Sequence, residues 1–185
     1  MNIIGKKVIL RAIEESDLEK FKDMINDPEL EFLAGGGSFP ISNLSEKKWF
    51  EKIQGDTNNL YLAIDTEDEK TVGMATIINI DWKNRRAYHG IKLGKSTNRG
   101  KGIGTDTVMA VMRYAFDELQ LNRLDGSIRE GNKVSEKLYI DKCGWKEEGI
   151  LRKYIFKRGR YYDLALIGVL KEEYYDIVDK LKYWK

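Results

Sequence analysis

Residues 98–116 read NRGKGIGTDTVMAVMRYAF, with glycines at 100, 102 and 104, two basic side chains among them, and then a long apolar run. Glycine has no Cβ, so its backbone can approach a ligand closely, and a helix starting near Gly102 points its positive end at the same place. Together with Arg99 and Lys101 the loop reads as an anion cradle able to hold a pyrophosphate. The same glycines also suit a tight strand-to-helix turn. Two other phosphate readings fail on spacing. A P-loop has four residues between its first glycine and Gly-Lys-Ser/Thr, whereas Gly90 and Gly94-Lys95-Ser96 enclose three. A dinucleotide fingerprint reads G-x-G-x-x-G, not the G-x-G-x-G found here. Beyond the loop, Val108, Val111, Ala115 and Leu119 form an apolar stripe, and Asp106, Arg113 and Asp117 a polar one. This spacing predicts an amphipathic helix to about Glu118.

Outward from this stretch, strand and helix signals alternate without a linker or internal repeat. Lys7–Ala12 predicts a strand, and Ser16 with Glu19 a capping box opening a helix towards Asn26, ended by Pro28. Leu33–Pro40 reads as a loop, and Ser42 or Ser45 caps a helix carrying Trp49, Phe50 and Ile53. Strands follow over Leu60–Asp65, Thr71–Ile80 and Ala87–Leu93, then Arg123–Ile128. A helix over Asn132–Cys143 and two strands flanking Arg158 and Gly159 come next. The pattern predicts an α/β fold built on a single mixed sheet flanked by helices. Tyr174, Ile177, Leu181 and Trp184 share one helical face, so residues 171–185 are expected as an amphipathic helix docked on a domain spanning 1–170.

Composition narrows the function classes. The 185 residues are 42% apolar with a net charge of +2, and a chain of this size buries about 70% of its unfolded surface in one domain. No block of like charge suggests a nucleic-acid partner, and no run approaches the roughly 20 apolar residues of a membrane span. A soluble, cytoplasmic protein is expected. The only cysteine, Cys143, and the only histidine, His89, leave no basis for a disulfide or a Cys/His metal site. Cys143 reads as a core residue.

Arg99-Gly-Lys-Gly102-Ile-Gly104 resembles the R/Q-x-x-G-x-G/A motif of the GNAT superfamily of acyl-CoA-dependent N-acetyltransferases. Asn132 to Trp145 resembles that family's N-x-x-A/S-x-x-L-Y-x-K-x-G-F/Y/W, with the lysine one position late. The overall pattern from Val8 to Val169 is similar to the ribosomal-protein N-acetyltransferase branch.

The resemblance implies a mostly antiparallel sheet split in a V, with acetyl-CoA as co-substrate and no metal. The pantetheine arm would run beside Ile91, Lys92 and Leu93, and the pyrophosphate would lie on Arg99, Gly100, Lys101, Gly102, Ile103, Gly104 and Thr105. The thioester would enter a gap between Ile91–Leu93 and Leu124–Ile128. Asn132, Ser135 and Tyr139 share one helical face; by resemblance the first two contact the cofactor and Tyr139 is the general acid. Relatives often carry a glutamate base five residues before the asparagine, where this chain has Ser127. His89 is the alternative base, directly or through water, or else a packed strand residue, and Asp125 and Glu130 are further candidates. Gly35, Gly36 and Gly37, with Trp82 and Tyr88, are candidates for the acceptor wall.

An amine must be neutral to attack a thioester. At pH 7 roughly 0.04% of a lysine amine is neutral, against about a tenth of an α-amine. The expectation is therefore direct attack in a ternary complex, with a protein N-terminal amine as acceptor and the enzyme a monomer or homodimer. A small amine (amino sugar, polyamine or aminoglycoside) is the alternative. A non-catalytic acyl-CoA-binding regulator is a third reading.

Overall fold

The computed structural model describes residues 1–34, 37–94 and 100–185. Its strands are β1 (Ile3–Ile4), β2 (Val8–Ala12), β3 (Leu60–Thr66), β4 (Gly73–Asp81), β5 (Arg86–Leu93), β6 (Arg123–Arg129), β7 (Lys146–Lys157) and β8 (Arg160–Leu170). They form one open sheet in the order β1-β2-β3-β4-β5-β6-β8-β7. Every neighbouring pair is antiparallel except β5 and β6. The helices are α1 (Leu18–Asn26), α2 (Pro28–Ala34), α3 (Asn43–Ile53), α4 (Ile103–Arg113), α5 (Lys133–Glu136) and α6 (Lys171–Leu181). Both α4 and α5 continue as π-helical segments, Tyr114–Glu118 and Lys137–Lys142.

Alternation along β3 sorts the helices between the two faces of the sheet. Leu60, Leu62 and Ile64 join the larger core with α4, its continuation and Tyr174 of α6. Ala63 and Tyr61 join a smaller core with Phe21 of α1 and Trp49, Phe50 and Ile53 of α3. The result is an α/β fold with a mostly antiparallel sheet between two helical layers, as the alternating signals predict.

Local details differ from the sequence reading. Pro28 starts a helix as well as ending one, because Asp27 Oδ1 accepts the N–H groups of Glu29 and Leu30 at 2.8 and 3.0 Å while proline occupies the first position, where no donor is needed. The first turn after β2 is closed by Asp17, which accepts Glu14 N–H at 2.8 Å, rather than by Ser16 with Glu19. Ser42 caps α3 as expected, accepting Ser45 N–H at 3.2 Å. On α6, Tyr174 is buried and Ile177 packs on the core, but Leu181 is exposed. Trp184 instead donates Nε1–H to the Tyr174 hydroxyl at 2.9 Å and stacks under Arg113.

The largest departure is on α4, expected to show a polar stripe. Ile103 and every residue from Asp106 to Met112 are buried. Asp106 retains only 1% exposure because its carboxylate collects the N–H groups of Lys6, Lys7 and Val8 at 2.6–3.0 Å and the Tyr183 hydroxyl at 2.9 Å. A charged acceptor facing three backbone donors and a phenol is well solvated by protein. It clamps the start of α4 to the β1–β2 connection and to the C-terminal segment. Asp106→Ala would strand those donors, so the free energy of unfolding is expected to fall by about 3 kcal/mol or more, measured by urea denaturation.

Candidate active site

β5 and β6 pair in parallel over only three residues, Arg86–Tyr88 against Arg123–Asp125. β6 stays paired with β8 along its whole length, whereas the edges of His89–Leu93 and Gly126–Arg129 that face each other share no ladder. An aromatic trio fills the inner side of this divergence: Tyr139 lies edge-on to Trp145 at 5.0 Å and to His89 at 5.9 Å. Trp145 reaches β6 because position 126 is glycine; a Cβ there would stand 3.2 Å from Trp145 Cζ3. On the opposite face the Tyr88 hydroxyl bonds to Ser127 Oγ across the V. The cleft between the strands has a volume of about 490 Å³. Free N–H and C=O groups on diverging strands can hydrogen-bond an extended ligand as an added strand would.

The glycine loop enters α4 beside this cleft. Gly100 (φ 80°) and Gly102 (φ 82°) occupy left-handed conformations that a Cβ would strain, and Gly102 is the N-cap of α4. Gly104 serves packing: its Cβ position lies 3.3 Å from Leu138 Cδ2 and 3.5 Å from Leu93 Cδ1, wedging α4 between β5 and the π-helical segment after α5. The first N–H groups of α4, through Ile103, Gly104 and Thr105, have no earlier helical turn to bond to, which makes this end a site for anionic oxygens. Lys101 is exposed there, and its carbonyl accepts Lys7 Nζ at 2.7 Å, so the turn is tied back to the β1–β2 connection. Arg99 lies outside the described residues.

The strand and helix candidates divide. Ile91 lines the cleft, Leu93 packs beneath Gly104, and Lys92 faces the opposite side of the sheet, where burial lowers its pKa against the pull of Glu46. Glu46 is buried on α3, with its own pKa raised by desolvation. Asn132 caps α5, accepting Ser135 N–H at 3.1 Å and donating Nδ2–H to the Leu33 carbonyl at 3.0 Å; both residues line the cleft. The Asn132 side chain thus ties the second half of the site to the end of α2. Tyr139 stands in the π-helical segment, 5% exposed, and lines the cleft. Burial pushes its pKa above the ordinary tyrosine value, so the phenol keeps its proton.

His89 is placed in the cleft but is ill-suited to take up a proton. Its Nδ1 lies 2.8 Å from the Thr76 carbonyl, an acceptor, so Nδ1 carries the hydrogen and Nε2 the lone pair, buried without a partner. Burial lowers its pKa to about 4. Moving a proton to it from an α-ammonium is uphill by about 5 kcal/mol. Asp125 is engaged by Arg123 at 2.6 Å, and Glu130 is exposed, accepting Asp163 N–H at 3.2 Å. Cys143 is fully buried, its thiol pushed up to about 12 by desolvation.

Among the described acceptor candidates only Tyr88 lines the V. Trp82 does not: it stands in the β4–β5 turn, its Nε1–H held by Asn58 Oδ1 at 3.1 Å. Gly37 lines a separate groove against Phe156–Arg158, and Gly35 and Gly36 lie outside the described residues. The wall is made instead by Leu33 and Ala34 at the end of α2 and by Leu151, Tyr154 and Leu166 of the β7–β8 hairpin. No sequence motif marked these residues, because the hairpin reads as ordinary alternating strand.

Arg129 is the functional candidate that sequence reasoning missed. It follows Asp125 and Ser127 on one face of β6, lines the cleft, and is 5% exposed. Its guanidinium lies 4.2 Å from the ring centre of Phe32 and 4.5 Å from that of Tyr162. Arg158 covers Phe32 at 4.1 Å and Arg160 covers Tyr162 at 4.3 Å, so three arginines surround two rings that meet edge-to-face at 5.8 Å. The central arginine has no carboxylate partner among the described residues; Nη1 donates to the Glu130 carbonyl at 2.6 Å and Nε is unpartnered. Cation–π contact contributes about 2 kcal/mol when desolvated, against a burial cost of several kcal/mol for an unpaired ion.

Residues 7–146 match the acetyltransferase (GNAT) domain. The chain is 29% identical to the SPbeta prophage-derived uncharacterized N-acetyltransferase YokL of Bacillus subtilis, over 92% of this chain and 93% of that protein. It is 28% identical to the putative ribosomal N-acetyltransferase YdaF of the same organism, over 92% and 95%. Its fold superposes on spermidine N-acetyltransferase from Vibrio cholerae, solved with CoA and spermine, with a TM-score of 0.85 and 23% identity over 91% and 98% of the two chains.

The buried imidazole makes stability depend on pH. Its folded pKa of about 4 lies below the unfolded value of 6.5, so the unfolded chain binds the extra proton between them. The contribution is complete above pH 6.5 and is lost as pH falls towards 4. Wild type is expected to lose about 3 kcal/mol more than His89→Asn between pH 7 and pH 4, measured by urea unfolding at both values.

Proposed function

Since the chain belongs to the GNAT acetyltransferase family and is an acetyl-CoA-dependent N-acetyltransferase, we propose that its acceptor is the α-amine of a protein N-terminus, acetylated by direct attack in a ternary complex. Residues 1–170 act as one catalytic domain and 171–185 as its docked helix. The observation that carries the reading is the lining of the V: Tyr139 supplies a proton donor, and among the described lining residues there is no carboxylate. Without a carboxylate to neutralise several ammonium groups, the cleft is a poor seat for a polyamine. Without a strong base, it suits an amine that reaches its neutral form unaided, as an α-amine does far more readily than a lysine-type amine.

Acetyl-CoA supplies an activated thioester. The residues that would hold it are Gly100, Gly102 and the first turn of α4 for its pyrophosphate, the free edge of β5 at Ile91 for its pantetheine arm, and Ser135 on α5. The glycine conformations and the unpaired strand edge fit that ligand. Tyr88 and Ser127 orient the acceptor amine at the mouth of the V, its proton passing to water. Tyr139 donates its phenolic proton to the departing sulfur and excludes bulk water through its contacts with Trp145 and His89. The second reading, a polyamine acceptor, draws on the V. cholerae enzyme of the same fold, whose structure holds spermine.

Thiol release from acetyl-CoA across N-terminal peptides, amino sugars and polyamines tests the choice. Peptides are expected to show the highest kcat/KM, and preference for spermidine would overturn the assignment. Double-reciprocal plots should intersect; parallel lines would instead indicate a covalent enzyme intermediate. Tyr139→Phe is expected to lower kcat about a hundredfold with little change in KM for acetyl-CoA, and full turnover would remove its acid role.

A further inference from the structure

Arg129 is a buried cation in a cleft that offers it no anion among the described residues. Lys157, the other buried cation on this side, is ion-paired with Glu31, and exposed Arg158 is paired with Glu29. Arg129 alone combines burial, cleft lining and the lack of a carboxylate among the described residues. Phe32 and Tyr162, themselves edge-to-face at 5.8 Å, form a corner around its guanidinium, which restricts its direction before any ligand arrives. A guanidinium cannot shed its charge on burial, and its planar fork matches a carboxylate.

We propose that Arg129 binds a carboxylate of the acceptor and makes the enzyme selective for α-amines that carry a negative charge nearby. This rests on the α-amine reading above and names the class of acceptor within it. Ser127, placed at the amine, and Arg129 are two residues apart on one face of β6, about 6.6 Å along the strand. An extended peptide advances about 3.3 to 3.6 Å per residue, so the carboxylate of an aspartate or glutamate at the second or third position falls opposite Arg129. The α-carboxylate of a free amino acid is the other source of the same chemistry. The ammonium groups of a polyamine would meet Arg129 as like charges.

The test uses the full chain and thiol release, and takes its primary readout from wild type. Peptides with Asp or Glu at positions two and three are compared with their Asn and Gln isosteres, and free amino acids with their amides. The acidic member of at least one pair is expected to have a kcat/KM at least about tenfold higher, expressed mainly in KM and weakened by salt. Preference in the peptide pair assigns the side-chain carboxylate; preference only in the amino-acid pair assigns the α-carboxylate. Arg129→Gln should bring the ratio near one and Arg129→Lys should leave an intermediate ratio, in variants that still bind acetyl-CoA. A wild-type ratio near one with active peptides overturns the role of Arg129 and leaves the N-terminal acceptor standing. Turnover of spermidine but of no peptide or amino acid overturns both.

Discussion

The site depends on a parallel strand pair that stops after three residues. β6 is anchored to β8 throughout, so the divergence from β5 leaves one strand fixed and opens a gap without unravelling the sheet. Tyr139, Trp145 and His89 fill the inner side of the gap, and the Tyr88–Ser127 hydroxyl pair spans the other. Gly126 is the local condition for this arrangement, because any larger residue would push Trp145 away from β6. Two strand edges that would otherwise satisfy each other are therefore available to a ligand.

The N-terminal end of α4, where the glycine loop enters, is held from behind. Asp106 sits one turn into α4, where a carboxylate would ordinarily favour the helix dipole and compete with a bound anion. Its oxygens are instead committed to Lys6, Lys7, Val8 and Tyr183, on the side of the helix away from β5. The clamp fixes the helix end while directing the negative charge elsewhere. The C-terminal segment participates through Tyr183 and Trp184, so it supports α4 as well as covering the sheet.

Most strands and the helix after the glycine loop were legible because they depend on local signals: alternation, capping residues and glycine spacing. Asp27-Pro28 shows how one dipeptide carries both a stop and a start, and only half of that signal was read. Asp106 was placed on a polar stripe because sequence periodicity cannot reveal a distant loop that supplies three backbone donors. The acceptor half was poorly legible for a related reason. Its wall comes from α2, β6 and the β7–β8 hairpin, elements that meet only through the sheet order, and Trp82 was a candidate by residue type alone.

This division follows from what each half must recognise. A pyrophosphate and an extended amide chain can be held by backbone groups, so glycine spacing and a free strand edge suffice, and both are compatible with wide changes in side chains. An acceptor amine is small, and what distinguishes one acceptor from another is the charge around it. That information has to be carried by side chains lining the V. Fold similarity to a spermidine acetyltransferase, which covers 91% of this chain at 23% identity, therefore speaks to the backbone and not to the side chains that meet the acceptor. In this chain the lining carries a buried guanidinium and, among the described residues, no carboxylate, and that is the charge an incoming acceptor meets.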